Sequence, residues 1–245
     1  MSVDLSGFIC GGYFLSKRIP RPRDVSDPVP DSIITVSECF TDIAPNIWAD
    51  QGYNYDDKER AAEALKFGIP SAAVPALVNL FTRAVEAHHL HNAFPTLSVA
   101  QEFYRHCPDK KLVALLGIGL EPSLVPSLHA QLPDDPNRGY SLVERVDAKL
   151  RLELGGEVLG YEPLGFEATK FHSWLCHNAP ADVYDQFGIR PNSFGFIDSF
   201  DDAVRVTRNL KETGAETAIW EPWLIVQYDT GEKLPGAALT ADPVP

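Results

Sequence analysis

The sequence predicts an α+β fold, a mixed or antiparallel sheet with several packed helices, in a single domain over residues 1–231. Three observations lead there. The 245 residues are 44% hydrophobic and 22% charged, with 13 Phe, 8 Tyr and 4 Trp, a composition able to bury a sizeable core. Segments with a two-residue apolar period and segments with a three- to four-residue period both occur along the chain. No internal repeat and no long linker divides it, although two subdomains would suit the same pattern.

From the N-terminus, residues 7–17 alternate, with Phe8, Cys10, Gly12 and Phe14 on one side and Ile9, Tyr13 and Leu15 toward the other, and predict a strand. Pro20, Pro22, Pro28 and Pro30 break it into a surface loop, and "SIITVS" at 32–37 predicts a short strand. Residues 57–67 predict a helix with acidic residues in the first turn and a stop at Gly68. In "SAAVPALVNLFTRAVEAHHLHN", Val74, Leu77, Val78, Phe81 and Val85 recur at helical spacing, and Pro75 is close enough to the start to be tolerated. A third helix is expected at 96–107, before Pro108.

"KLVALLGIGL" at 111–120 is short and almost wholly apolar, as a strand covered on both faces is. A short helix at 122–131 and a turn at 133–139 follow, while 141–153 suits either helix or strand. Residues 157–167 read as a strand in which Pro163 marks an edge or a bulge. "DVYDQFG" gives a helical turn closed by Gly188. Ser199 followed by Asp202 resembles a capping box, and Phe200, Ala203, Val204, Thr207 and Leu210 form the apolar face of a helix that Gly214 ends. "AIWEPWLIVQYDT" is the last strand, and 232–245 read as a flexible tail.

With 34 Asp plus Glu against 21 Lys plus Arg, the formal net charge is −13. Such a surface repels nucleic-acid phosphates and anionic lipids and attracts basic proteins. No apolar run is long enough to predict a transmembrane helix. Asp4, the lack of a basic cluster, and Gly11 and Gly12 within the first apolar stretch do not match a secretory leader. Cys10, Cys39, Cys107 and Cys176 are widely spaced, which predicts reduced, mostly buried thiols in a cytoplasmic protein.

"FHSWLCHN" at 171–178 is the densest cluster of potentially reactive side chains. On a helix His172 and Cys176 would share a face while His177 points about 100° away. Two ligands do not make a zinc site, and neighbours in sequence do not face one another as a nucleophile and its base must. The expectation is a core face interleaved with Phe171, Trp174 and Leu175. His88 and His91 have H-x-x-H spacing without the glutamate of a metalloprotease helix, and they suit the negative end of a helix. Nucleophile elbows, phosphate loops and dinucleotide fingerprints are absent, so neither catalysis, metal nor cofactor is expected. Near the C-terminus, Asp182, Asp185, Asp198, Asp201, Asp202, Glu216 and Glu221 accompany Trp220, Trp223 and Tyr228, a mixture suited to docking a basic partner.

The segments "SIITVSECF", "GYEPLGFE", "FHSWLCHN", "PNSFGFIDSF" and "WEPWLIVQY" resemble bacterial immunity-type proteins, cytosolic inhibitors encoded beside polymorphic or contact-delivered toxins such as those of type VI secretion. The group they look like is the immunity protein 52 group. The likeness is scattered over 32–228 and contains no mechanistically specific motif. The resemblance implies a non-catalytic α+β protein in the cytoplasm, paired with a toxin that is often a nuclease and therefore basic near its active site. On that reading Asp198, Asp201, Asp202 and Glu221 would supply charge and Trp220 or Trp223 an anchor, with no direct contact to nucleic acid or membrane. The rival expectation is a small hydrolase or metalloenzyme built on His172/Cys176 or His88/His91.

Overall fold

Two apolar runs, Val113–Leu120 and Ile219–Gln227, are buried along their whole length and pair antiparallel inside a five-stranded sheet. The computed structural model describes residues 3–21, 28–37, 39–40, 56–88, 93–132, 141–167, 170–176, 179–214 and 217–228. Strands are β1 (Ile9–Lys17), β2 (Ile19–Pro20), β3 (Ser32–Ile33), β4 (Val113–Leu120), β5 (Glu157–Glu167), β6 (Lys170–Ser173) and β7 (Ile219–Gln227). Helices are α1 (Asp57–Lys66), α2 (Val74–His88), α3 (Leu97–His106), α4 (Val125–Ala130), α5 (Ser141–Asp147), α6 (Ala179–Phe187) and α7 (Phe200–Thr213). The sheet runs β1-β4-β7-β5-β6, every pairing antiparallel, and β2 and β3 form a separate two-stranded ribbon. The arrangement is α+β in a single domain, as the sequence predicts.

The uninterrupted apolar character of β4 follows from burial on both faces. Val113 and Leu115 pack into one cluster with side chains of α1, α2, α3, α6 and α7. Ala114, Leu116, Ile118 and Leu120 pack into another with α4 and α5. Helix ends obey local chemistry. Asp56 and Glu59 make a complete capping box on α1, Thr96 caps α3, and Ser199 caps α7 by accepting the Asp202 N–H. At α7 the second half of the box is replaced, because the Asp202 carboxylate meets Arg205 at 3.2 Å.

Two local expectations change and one open reading is decided. Residues 34–37 do not extend the β3 ladder, although Ile34 and Val36 are buried and the Ile34 N–H donates to Phe194 O. Residues 141–147 resolve as helix. Pro163 is not at an edge, since β5 lies between β7 and β6; it faces Pro222, which confines two missing donors to one rung. The bulge of β5 falls between Val158 and Gly160 instead. The turn expected at 133–139 and the tail at 232–245 lie outside the described residues.

Candidate functional site

Gly160 sits at φ +136°, and a Cβ there would lie 2.9 Å from Ile197 O, so both backbone and space require glycine. The bulge lets the 192–199 loop dock on β5, where Tyr161 and Ile197 exchange backbone hydrogen bonds of 2.7 and 2.8 Å. Asn192 fastens the loop: its Nδ2 donates to Leu159 O and to Asp198 Oδ1, each at 2.8 Å, and its Oδ1 accepts from the Phe194 and Phe196 N–H groups. Ser199 then starts α7. A depression of about 600 Å³ results, its floor made by Val3, Val158, Leu159, Tyr161 and Phe200 and its rim by Asp198 and Asp201. Glu121 adds a third carboxylate near the floor; after burial, its charge helps push the Tyr161 phenol upward.

Asp198 and Asp201 are exposed and Asp202 is half-buried. Among the described residues Asp201 has no ionic partner, so this end of α7 presents negative charge outward. The other three expected partner-binding residues do not. Trp220 is 2% exposed, Trp223 1% and Glu221 1%. Trp220 packs with the α7 side of the sheet and Trp223 with the α5 side, where its ring meets Phe171 edge-on at 6.1 Å. The Glu221 Oε1 accepts from Ser127 Oγ (2.6 Å), Gln131 Nε2 (2.6 Å) and Lys211 Nζ (3.1 Å). It is an internal charge that ties α4 and α7 to β7.

"FHSWLCHN" is not helical where it matters. Lys170–Ser173 is strand β6, and Trp174–Cys176 turn away from it. The helical juxtaposition of His172 and Cys176 is therefore replaced by one made across the fold: Cys39 Sγ lies 3.4 Å from His172 Nδ1, and the Cys176 thiol hydrogen-bonds Cys39. His172 Nε2 faces Glu167 Oε2 at 3.5 Å. The expectation of buried thiols holds for Cys10 and Cys107, whereas Cys39 is exposed and Cys176 half-buried. His177 and His91 lie outside the described residues, and His88 is the last residue of α2. Among the described residues no group of three or more His, Cys, Asp or Glu side chains is placed to hold a metal ion.

Beneath this cluster Glu162 is fully buried, its Oε1 accepting from Thr35 Oγ1 (2.5 Å) and Ser173 Oγ (2.6 Å). Burial raises its carboxyl from an ordinary 4.5 to about 7, against the opposing pull of those hydroxyls. The folded chain thus holds the proton more tightly than the unfolded chain. The stability this contributes is fully present below about pH 4.5 and is lost as pH rises toward 7. At about 1.4 kcal/mol per pKa unit the loss is roughly 3 kcal/mol. Urea unfolding of Glu162→Gln should lack this decline between pH 4.5 and 7; parallel profiles for the two proteins would show that Glu162 does not titrate there.

No family model, curated protein or solved structure matches the chain. Among the described residues no helix is long and apolar enough to cross a membrane.

Proposed function

We propose that this protein is a cytoplasmic immunity protein that binds a cognate antibacterial toxin, a nuclease effector with a basic surface, and neutralises it by occlusion. The observation that carries this reading is the depression beside α7, where an apolar floor is bordered by outward-facing carboxylates. A protein interface needs both parts: apolar and aromatic surface supplies affinity, and surrounding charge selects the partner and speeds encounter. The net charge of −13 extends the same preference over the whole molecule. A nuclease domain shaped to hold a polyanion offers the complementary sign, and carboxylates can occupy a surface meant for phosphates. The resemblance of "GYEPLGFE" and "PNSFGFIDSF" to immunity proteins falls on the two segments that build the depression, β5 and the loop held by Asn192.

Co-expression with the toxin encoded by the adjacent gene tests this. Cells carrying both should grow, and cells carrying the toxin alone should die. Equal killing with and without this protein would end the proposal.

A further inference from the structure

A second feature, independent of the acidic depression, gathers Cys39 beside His172 of β6 and Cys176. Cys39 is exposed, and its Sγ is 3.4 Å from His172 Nδ1. The Cys176 thiol hydrogen-bonds it, and the Ser37 hydroxyl accepts the Cys39 N–H at 3.2 Å while also reaching Cys176. On the far side of the ring, Glu167 Oε2 stands 3.5 Å from His172 Nε2. The imidazole is therefore flanked by a sulfur on one nitrogen and a carboxylate on the other, an arrangement that fixes the orientation of the ring.

Cys39 and Cys176 differ in the way a paired thiol site requires. The Cys39 thiol is lowered from 9.0 to about 4, first by the Cys176 hydrogen bond and then by His172. Cys176 is pushed well above its ordinary value, first by Cys39 and then by burial. One sulfur carries the charge and faces solvent; the other keeps its proton beneath it. A hydrolase would need the histidine but has no use for the second thiol, and Cys39 does not line the depression beside α7. A thiol that is oxidised by a peroxide does have a use for the second, because the sulfenic acid formed condenses with a neighbouring thiol to a disulfide.

We propose that Cys39 and Cys176 form a two-cysteine redox site that reduces hydroperoxides, with Cys39 attacking, Cys176 resolving, and His172, oriented by Glu167, as the charge partner of Cys39. The Cys39 thiolate attacks the terminal oxygen of a hydroperoxide; an S–O bond forms, the O–O bond breaks, and the alkoxide leaves with the proton of the His172 imidazolium. Cys176 then attacks the Cys39 sulfur, an S–S bond replaces the S–O bond, and hydroxide leaves as water with the Cys176 proton. Two thiols lose two electrons, and the hydroperoxide becomes an alcohol and water. A dithiol reductant returns two electrons and two protons to reopen the pair. His172 acts here as a positioning and proton-donating group.

The test treats the reduced full-length protein with one equivalent of hydrogen peroxide and maps its cysteines by mass spectrometry. A single Cys39–Cys176 disulfide should form, while Cys10 and Cys107 stay reduced. Cys176→Ser should stop at a sulfenic acid on residue 39 that a cyclic 1,3-diketone captures, and Cys39→Ser should leave the other thiols unreacted. The rate at Cys39 should be nearly flat from about pH 5 to 8, whereas an ordinary thiol gains roughly tenfold per pH unit below its pKa. His172→Gln should slow the reaction and shift the onset of the plateau to higher pH, because the hydrogen bond from Cys176 remains. A Cys39 rate that climbs with pH in the unaltered protein, survival of all four thiols, or a disulfide that excludes Cys176 would each overturn the proposal.

Discussion

Replacing Glu221 with alanine is expected to lower the unfolding free energy by about 3 kcal/mol, the lower end of the cost of removing one partner of a buried ion pair. The carboxylate accepts three hydrogen bonds through one oxygen, from Ser127, Gln131 and Lys211. Its loss leaves the Gln131 amide with only Ser127 O and Trp220 O, and leaves the Lys211 ammonium with the Ser127 hydroxyl in place of a counter-charge. Lys211 is 28% exposed along its side chain and can recover part of its hydration, which keeps the penalty from the upper end of the range. For a chain of this size the melting temperature should fall by roughly 6–12 °C. Affinity for the toxin, measured below the unfolding transition, should be unchanged. A folded Glu221→Ala protein that cannot bind would return Glu221 to the interface, despite its burial.

Neutralising the rim should do the opposite. In the combined variant Asp198→Asn, Asp201→Asn and Asp202→Asn, the side chains keep their size, and asparagine at 198 can still accept from Asn192. The stability cost is limited to helix-end electrostatics on α7 and the exposed pair with Arg205, about 0.3–1 kcal/mol for each charge. Binding should suffer far more. Close charge pairs across protein interfaces couple by about 1.5 kcal/mol or more each, so three lost pairs weaken affinity by about 10³-fold. Calorimetric titration of unaltered and triple-variant protein against the isolated toxin domain measures this directly. Affinity within threefold of the unaltered protein would move the interface away from α7.

The helices were legible because their signals are local. Apolar spacing and Ser199 and Gly214 mark α7, and Asp56 with Glu59 marks α1. Sheet order was not, since placing β7 between β4 and β5 depends on pairings that no sequence spacing encodes. The burial of Trp220, Glu221 and Trp223 has one cause. "IWEPWLIVQ" is apolar on both faces, and a lone glutamate inside such a run marks a buried, bonded charge more often than a surface one. The same sign was present at Glu162 in "LGYEPLGFE". Cys39 left no trace: it stands 133 positions from His172, and the four-residue strand β6 is too short for its period to be told from one turn of helix. Asn192 and Gly160, which position the acidic rim, carry the ordinary signature of a turn and a bulge.

Ionic strength probes the central claim most directly. Association of the purified protein with its basic toxin, followed by stopped-flow at roughly 0.1 M and 1 M salt, spans a fall in screening length from about 10 Å to 3 Å. An acid-docked complex should form at least tenfold more slowly in high salt, and the triple asparagine variant should be slow in both. Rates that ignore salt, or equal rates for the two proteins at low salt, would contradict inhibition through the carboxylates of α7.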